Sequence, residues 1–516
     1  MLLSKTLKLH AVIPLLCLAL GFSGCARSAD DRPPGALVVA LESGPTNLDP
    51  RYATDADSER IAALVFDSLA RPDRSFRPQP ELAASWDAPD ERTFIFHLRR
   101  GVKFHNGKDL TAADVAYTYR SALDPRNRSP KRGILRFIES VEANGAYDVR
   151  FRLSAPFAAF TETLTLGIVP QGTPVDGSGL VGSGPFSLEE FRRGERIVLK
   201  ANPSYWNGAP RVSGVVFKII PDAIVRVLEF RKRTVDLIQN YFEPDMLPWL
   251  EHNSRAVVSS AQGTNFQYLG MNLEHPILKH RAAREAIACA IDRDAIIRHI
   301  LKDLAVPATG LLAPQHWAYE SSVEAIHFDP DRAKRLLDEA GFPDPDGDGP
   351  LPRFKLSFKT TNLDLRKRIA EALKEQLARV GIELEVRTYE WGTFYADVKK
   401  GNFHLYSLEW IGVVDPDIYY ELFHSASVPP NGNNRGHYRN LEIDMLLERG
   451  RREMSIDKRR VIYGEVQRIL ARDLPYVPLW WWRNVAVMQR TLRGFELYPD
   501  GNLISLRRIS FATPAG

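Results

Sequence analysis

The 516-residue chain is poor in cysteine and in sign-biased charge, and each shortage excludes a class of protein. Its three cysteines are Cys17, Cys25 and Cys289, too few to staple a chain of this length as a disulfide scaffold. Sixty-eight Lys and Arg stand against 64 Asp and Glu, a formal charge of +4, which is far too balanced for a nucleic-acid protein. Apart from one short segment near the start there is no long apolar run. HExxH, CxxC, GxSxG and a Walker A loop are all missing, so no constellation for metal-assisted, thiol, serine or phosphoryl chemistry emerges. Lone histidines such as His105 and His437 read as structural. No internal repeat at solenoid periods is found.

What is present is a globular composition, 44% hydrophobic and 26% charged, in a chain too long for one core. Two or more lobes are expected. The start reads as an export signal over residues 1–24: MLLSKTLKLH carries the positive charge, AVIPLLCLAL is apolar, and GFSGC ends in small residues. Without Lys5 and Lys8 the remaining chain would carry 4 − 2 = +2. Ser23, Gly24 and Cys25 resemble a bacterial lipobox, with Phe22 where an aliphatic residue is usual. That resemblance implies a lipid on Cys25, a tether over 25–35 and attachment to a membrane through the lipid alone. Cys289, within AREAIACAIDRDAI, reads as a small buried hydrophobe.

Along the body, ALVVALE (36–42) predicts a strand that ends in the turn formers SGPTNLDP. TFIFHL and YDVRFRL alternate as strands, and Thr111 to Asp114 predicts a capping-box start for the helix AADVAYTYRSAL. In 354–409 the order is strand, helix, strand, helix, strand, with Leu365, Ile369, Leu373, Leu377 and Val380 on one helical face. Such a unit implies a parallel sheet whose strand ends face a ligand crevice. In DPDRAKRLLDEAGF, Asp329 predicts an N-cap and Gly341 a stop. Two motifs fail on context. Gly177 to Gly182 match GxGxxG but are followed by Ser-Gly-Pro rather than a helix, and the Asp344, Asp346, Asp348 run puts Lys355 where a calcium loop needs glutamate.

Four stretches in order carry a resemblance: AASWDAPDERTFIFHLRRGVKFHNGKDLTAADVAYTY, GSGPFSLEEFRRGERIVLKANPSYWNG, YLGMNLEHPILKHRAAREAIACAIDRDAI, and the helix ending DEAGF. Together the chain resembles the family 5 extracellular solute-binding proteins of ABC importers, receptors for peptides, nickel complexes, haem and some sugars. The resemblance implies an α/β, two-lobed periplasmic-binding-protein fold of type II. Lobe I would comprise 36–70, 183–270 and 485–516 with an extra subdomain at 71–182, and lobe II 271–484, joined by crossings near 270 and 484. It implies a monomeric receptor in the periplasm or cell envelope that closes on a peptide or peptide-like solute and delivers it to permease subunits, with no enzymatic step, cofactor or metal. A non-peptide ligand, such as a nickel chelate, an opine-like acid or a sugar, is the alternative; an exported chaperone-like or hydrolytic lipoprotein is a further one.

The stretch EWIGVVDPDIYY (409–420) then acquires meaning. In peptide receptors of this family an aspartate three residues after the tryptophan pairs with the peptide's amino group; here Trp410 is followed by Ile411, Gly412 and Val413. Glu409 or Asp417 would have to supply the anion, or the ligand lacks a free amine. Asp415 reads as an N-cap, Asp417 also suits the helix dipole, and Trp410 reads as a rigid wall. In the following loop Asn434 and Arg435 border the ligand by resemblance, and Arg435 is either a carboxylate partner or a solvated loop arginine. Thr46, Asn47, Asn265 and Phe266 are placed at the cleft from lobe I, while Trp480 to Trp482 are expected to pack the second crossing.

Overall fold

The computed structural model describes residues 32–240, 243–252, 255–347 and 349–512. The signal segment, Cys25 and Asp348 lie outside them.

An eleven-stranded mixed sheet runs through the molecule. In one half, Ala36–Leu41 pairs in parallel with Gly214–Ile219 and Leu237–Gln239, and the hairpin Phe186–Arg192 with Arg196–Ala201 extends the edge. Its apolar residues are buried on both faces, as for a covered parallel strand. In the other half, Phe354–Thr361 lies between Ile382–Tyr389 and Leu405–Trp410 and is parallel to both, the expected consequence of two helical crossovers.

Two long antiparallel strands, Ala256–Met271 and Tyr476–Gln489, join the halves. Their pairing is regular from Ala256 to Gln262, shifts register before Phe266 and again between Gln267 and Tyr268, and runs on to Gly270. Trp480 and Trp481 are buried within the second strand, as packing residues.

A separate four-stranded sheet, Ala83–Asp90, Thr93–Leu98, Asp148–Leu153 and Ile138–Asn144, has its own core against the helix Ala112–Leu123. That helix carries the expected capping box between Thr111 and Asp114. The helix Pro330–Glu339 is capped as expected by Asp329, which accepts from Arg332 N–H at 2.8 Å. Gly177 and Gly179 adopt positive φ in a loop that leads to a strand, so no helix N-terminus follows them. Asp344 and Asp346 spend carboxylate oxygens on loop amides.

Several contacts hold the two sides of the molecule together. Phe76 buries its ring in the cluster that contains Leu311, Trp317 and Tyr419, and stacks on His316 at 5.4 Å. Arg136 meets Glu421 at 3.1 Å and Arg368 meets Asp245 at 3.0 Å.

Candidate functional site

Between these contacts lies a cavity of about 490 Å³, within the range of small-ligand sites, roughly 300–1,000 Å³. Its walls come from residues far apart in sequence: the segment from Pro50 through the helix Ala56–Val65 to Pro72, the stretch Lys131–Leu135, the strand-free run Thr163–Gly167, the turn at Asp500 and Asn502, and, opposite, Ile411, Gly412 and Val414.

Each wall is fixed by local chemistry. Asp55 accepts from Ser58 N–H at 2.8 Å and so starts the helix that presents Ala56, Glu59, Arg60 and Ala63 to the cavity. Upstream, Arg51 is wholly buried and chelates Asp49, with its other donors on the Ser121 hydroxyl and the carbonyls of Thr173 and Pro174. Downstream, Asp67 accepts from Ser183, Tyr205 and Trp206 at 3.0, 2.9 and 2.9 Å. Burial first, and the neighbouring Glu81 charge second, push its carboxyl up to about 6. Glu81 in turn takes Arg71 at 2.7 Å and both the amide and hydroxyl of Ser68.

Gly167 is required where it stands. A Cβ there would lie 2.5 Å from that of Phe66, so only glycine lets the Thr163–Gly167 run approach the end of the helix.

Opposite, Leu405–Trp410 stops pairing at Trp410, which faces Phe266, and Gly412 turns the chain at φ +68°. Beyond this point the backbone is unpaired: among the described residues, no hydrogen bond takes the amides or carbonyls of Ile411, Gly412 or Val413. The same holds for Thr165, Leu166 and Gly167 across the cavity. Two strips of open backbone therefore border one space.

The residues expected from sequence are scattered by the structure. Ile411 lines the cavity and is 58% exposed. Val413, two residues on, is 2% exposed in the apolar cluster with Phe76 and Tyr419, so it is a core residue rather than a pocket position. Asp417 does not act as a spare anion: Arg451 chelates it at 2.7 and 2.9 Å, and although burial raises its pKa, the guanidinium opposes that rise. Asp415 is not the N-cap expected of it: Asp417 holds that position and Asp415, two residues before it, accepts from Asp417 N–H at 2.7 Å and pairs its carboxylate with Arg459. Glu409 pairs with Arg366 at 3.1 Å.

Trp410 stacks on Tyr268 and lies under the Arg435 guanidinium, 4.9 Å from it, as packing rather than a cavity wall. Arg435 is neither solvated nor open to a ligand. It is 4% exposed, donates to the hydroxyls of Tyr268 and Tyr395, and meets no carboxylate among the described residues. Asn434 is 1% exposed and spends its amide on His424 and Tyr438. Thr46 and Asn47 brace the start of the Ala56–Val65 helix through Asp55 and Ser58, upstream of the first cavity residue. Asn265 sits at the register break of the long strand, and Phe266 is buried beside a smaller apolar cavity.

The helix face from Ala56 to Ala63, Arg71, Lys131, the Thr163–Gly167 run and Asp500 were missed. SGPTNLDP pointed to the right neighbourhood, and the helix that follows it was the available signal.

The family model for bacterial extracellular solute-binding proteins, family 5 (middle region), matches residues 77–430. The chain belongs to this family. A relative matches over most of the chain: the oligopeptide-binding protein AppA of Bacillus subtilis is 28% identical over 501 residues, covering 92% of this chain and 91% of that one. Its solved structure with a nonapeptide has a TM-score of 0.76 at 27% identity, over 93% of this chain and 99% of that one. The Helicobacter pylori DppA structure with the peptide STSA scores 0.77 at 26% identity, over 93% and 98%. NikA from Brucella suis with Fe(III)-EDTA scores 0.83 at 24% identity, over 93% and 100%, which concerns the fold alone. The architecture is thus the two-lobed α/β fold of family 5, and the family consists of binding proteins.

Proposed function

We propose that this chain is the substrate receptor of an ABC importer for short peptides, which it captures in the 490 Å³ cavity and delivers unchanged to a membrane permease. The observation that carries the reading is the pair of unpaired backbone strips, Ile411–Gly412 and Thr165–Gly167, on opposite walls. An extended peptide has amide groups on both edges, and two such strips can pair with them whatever its side chains. A buried ligand without amides would leave those groups unsatisfied. The peptide ligands named for the AppA and DppA structures accord with this.

In this reading, 36–70, 183–270 and 485–516 form one lobe with 71–182 as its extra subdomain, and 271–484 the other. Bending occurs where the two long strands shift register, and closure on the ligand is the shape the permease reads. Export, a lipid on Cys25 and a monomeric state complete the proposal, the lipid holding the receptor at the cell envelope.

Calorimetry with trialanine and its backbone N-methylated analogue tests it. Two lost hydrogen bonds at roughly 0.5–1.5 kcal/mol each should weaken the analogue about tenfold. Equal affinities would contradict backbone pairing.

A further inference from the structure

We infer that Asp500, on lobe I, is the group that recognises the ligand's free amino terminus, in place of the lobe II carboxylate that position 413 lacks. The inference rests on the peptide reading above.

Five charged side chains line the cavity: Glu59, Arg60, Arg71, Lys131 and Asp500. Four are matched within the protein. Arg60 meets Asp57 at 3.7 Å, Arg71 meets Glu81 at 2.7 Å, and Lys131 meets Glu59 at 2.5 Å. Asp500 alone has no cation within ion-pair distance among the described residues. Its Oδ1 accepts from the amide of Asn502 at 3.1 Å and from the side-chain amide of the same residue at 2.7 Å. No described residue donates to its Oδ2, so one carboxylate oxygen on the wall stays open to a donor.

The acids considered from the sequence cannot compete. Glu409, Asp415 and Asp417 are each held by an arginine, Arg366, Arg459 and Arg451 respectively. Moving any of them to a ligand would strand a buried or half-buried guanidinium.

The turn that carries Asp500 is braced. Gly501 N–H donates to Tyr498 O at 2.9 Å, Asn484 donates to the carbonyls of Tyr498 and Pro499, and Thr264 N–H donates to Pro499 O at 3.1 Å. Thr264 and Asn484 belong to the two long strands at their register break, so the carboxylate is fixed to the point where the lobes join. Gly501, at φ +73°, also lies against Arg60 and Gln239, where a Cβ would come within 2.9 Å of the guanidinium. An ammonium placed against Oδ2 would be partly removed from water, where an ion pair counts for more than at an open surface.

The experiment exposes the intact receptor, its Asp500→Asn variant and, as a carboxylate control away from the cavity, its Glu375→Gln variant to a library of free tripeptides and to the same library N-acetylated. Retained masses are read by native mass spectrometry, and affinities for trialanine and acetyl-trialanine by calorimetry. The wild type should prefer the free amine by about 30-fold or more. Asp500→Asn should lose that preference while binding acetyl-trialanine as the wild type does, and Glu375→Gln should keep it. An unchanged preference in Asp500→Asn would overturn the assignment and leave the peptide reading standing. Retention of acetylated peptides rich in Lys or Arg, lost in Asp500→Asn, would overturn the amino-terminal assignment in favour of a basic side chain. Failure of every protein to retain any peptide would overturn the peptide reading together with this inference.

Discussion

Replacing Arg459 by methionine will destabilise the protein by about 3–5 kcal/mol, the loss expected when one partner of a buried ion pair is removed. Arg459 grips Asp415 at 2.8 and 3.1 Å and lies 3.8 Å from Glu162, with only 3% of its side chain exposed. Without it, two buried carboxyls face one another. Glu162 already shows the conflict: burial first, then the Asp415 charge, push it up to about 8. An acid whose pKa is raised in the folded form takes up a proton on folding or closing. The stability it contributes is complete below its ordinary pKa near 4.5 and is lost as pH rises towards 8. Melting curves between pH 5 and 8 should therefore fall for the wild type and flatten for Glu162→Gln, since glutamine cannot ionise. An Arg459→Met protein as stable as the wild type would contradict this account of the contact.

Val413→Asp should also cost about 3 kcal/mol or more, since it places a carboxylate in an apolar cluster with no donor waiting for it. The position looks from sequence as if it needed only its charge restored. In the structure Val413 packs with Phe76, Tyr419 and Phe423, the same cluster that receives Phe76 from across the molecule. Chemical denaturation should show the loss, and peptide affinity should fall because the closed contact loosens. A stable Val413→Asp protein with a new preference for free amines would return the amine site to lobe II and remove the case for Asp500.

Much of the fold was legible because its signals are local. Thr111 with Asp114, Asp329 before Pro330, and the stripe through Ile369, Leu373 and Leu377 each act within one helix, and those three apolar residues are buried, while Leu365 is only partly so and Val380 is buried just past the helix end. The parallel unit from Phe354 to Trp410 followed from alternation and connection length. The site was far less legible. Whether Asp417 is free depends on Arg451, 34 residues later, and Asp415 on Arg459, 44 residues later; periodicity holds no record of either pairing. The side on which Val413 falls is set by the turn at Gly412, which the strand pattern before it does not determine. Asp500 lies in a short irregular turn, and only its lack of a cation partner among the described residues distinguishes it from other loop aspartates.

The central claim, that two strips of open backbone hold a peptide, is tested most directly by native mass spectrometry of the protein purified from its source without denaturation. The account predicts a ladder of peptide masses carried from the source. A single non-peptide mass would contradict it, since the paired strips would then border a ligand with no amides to meet them.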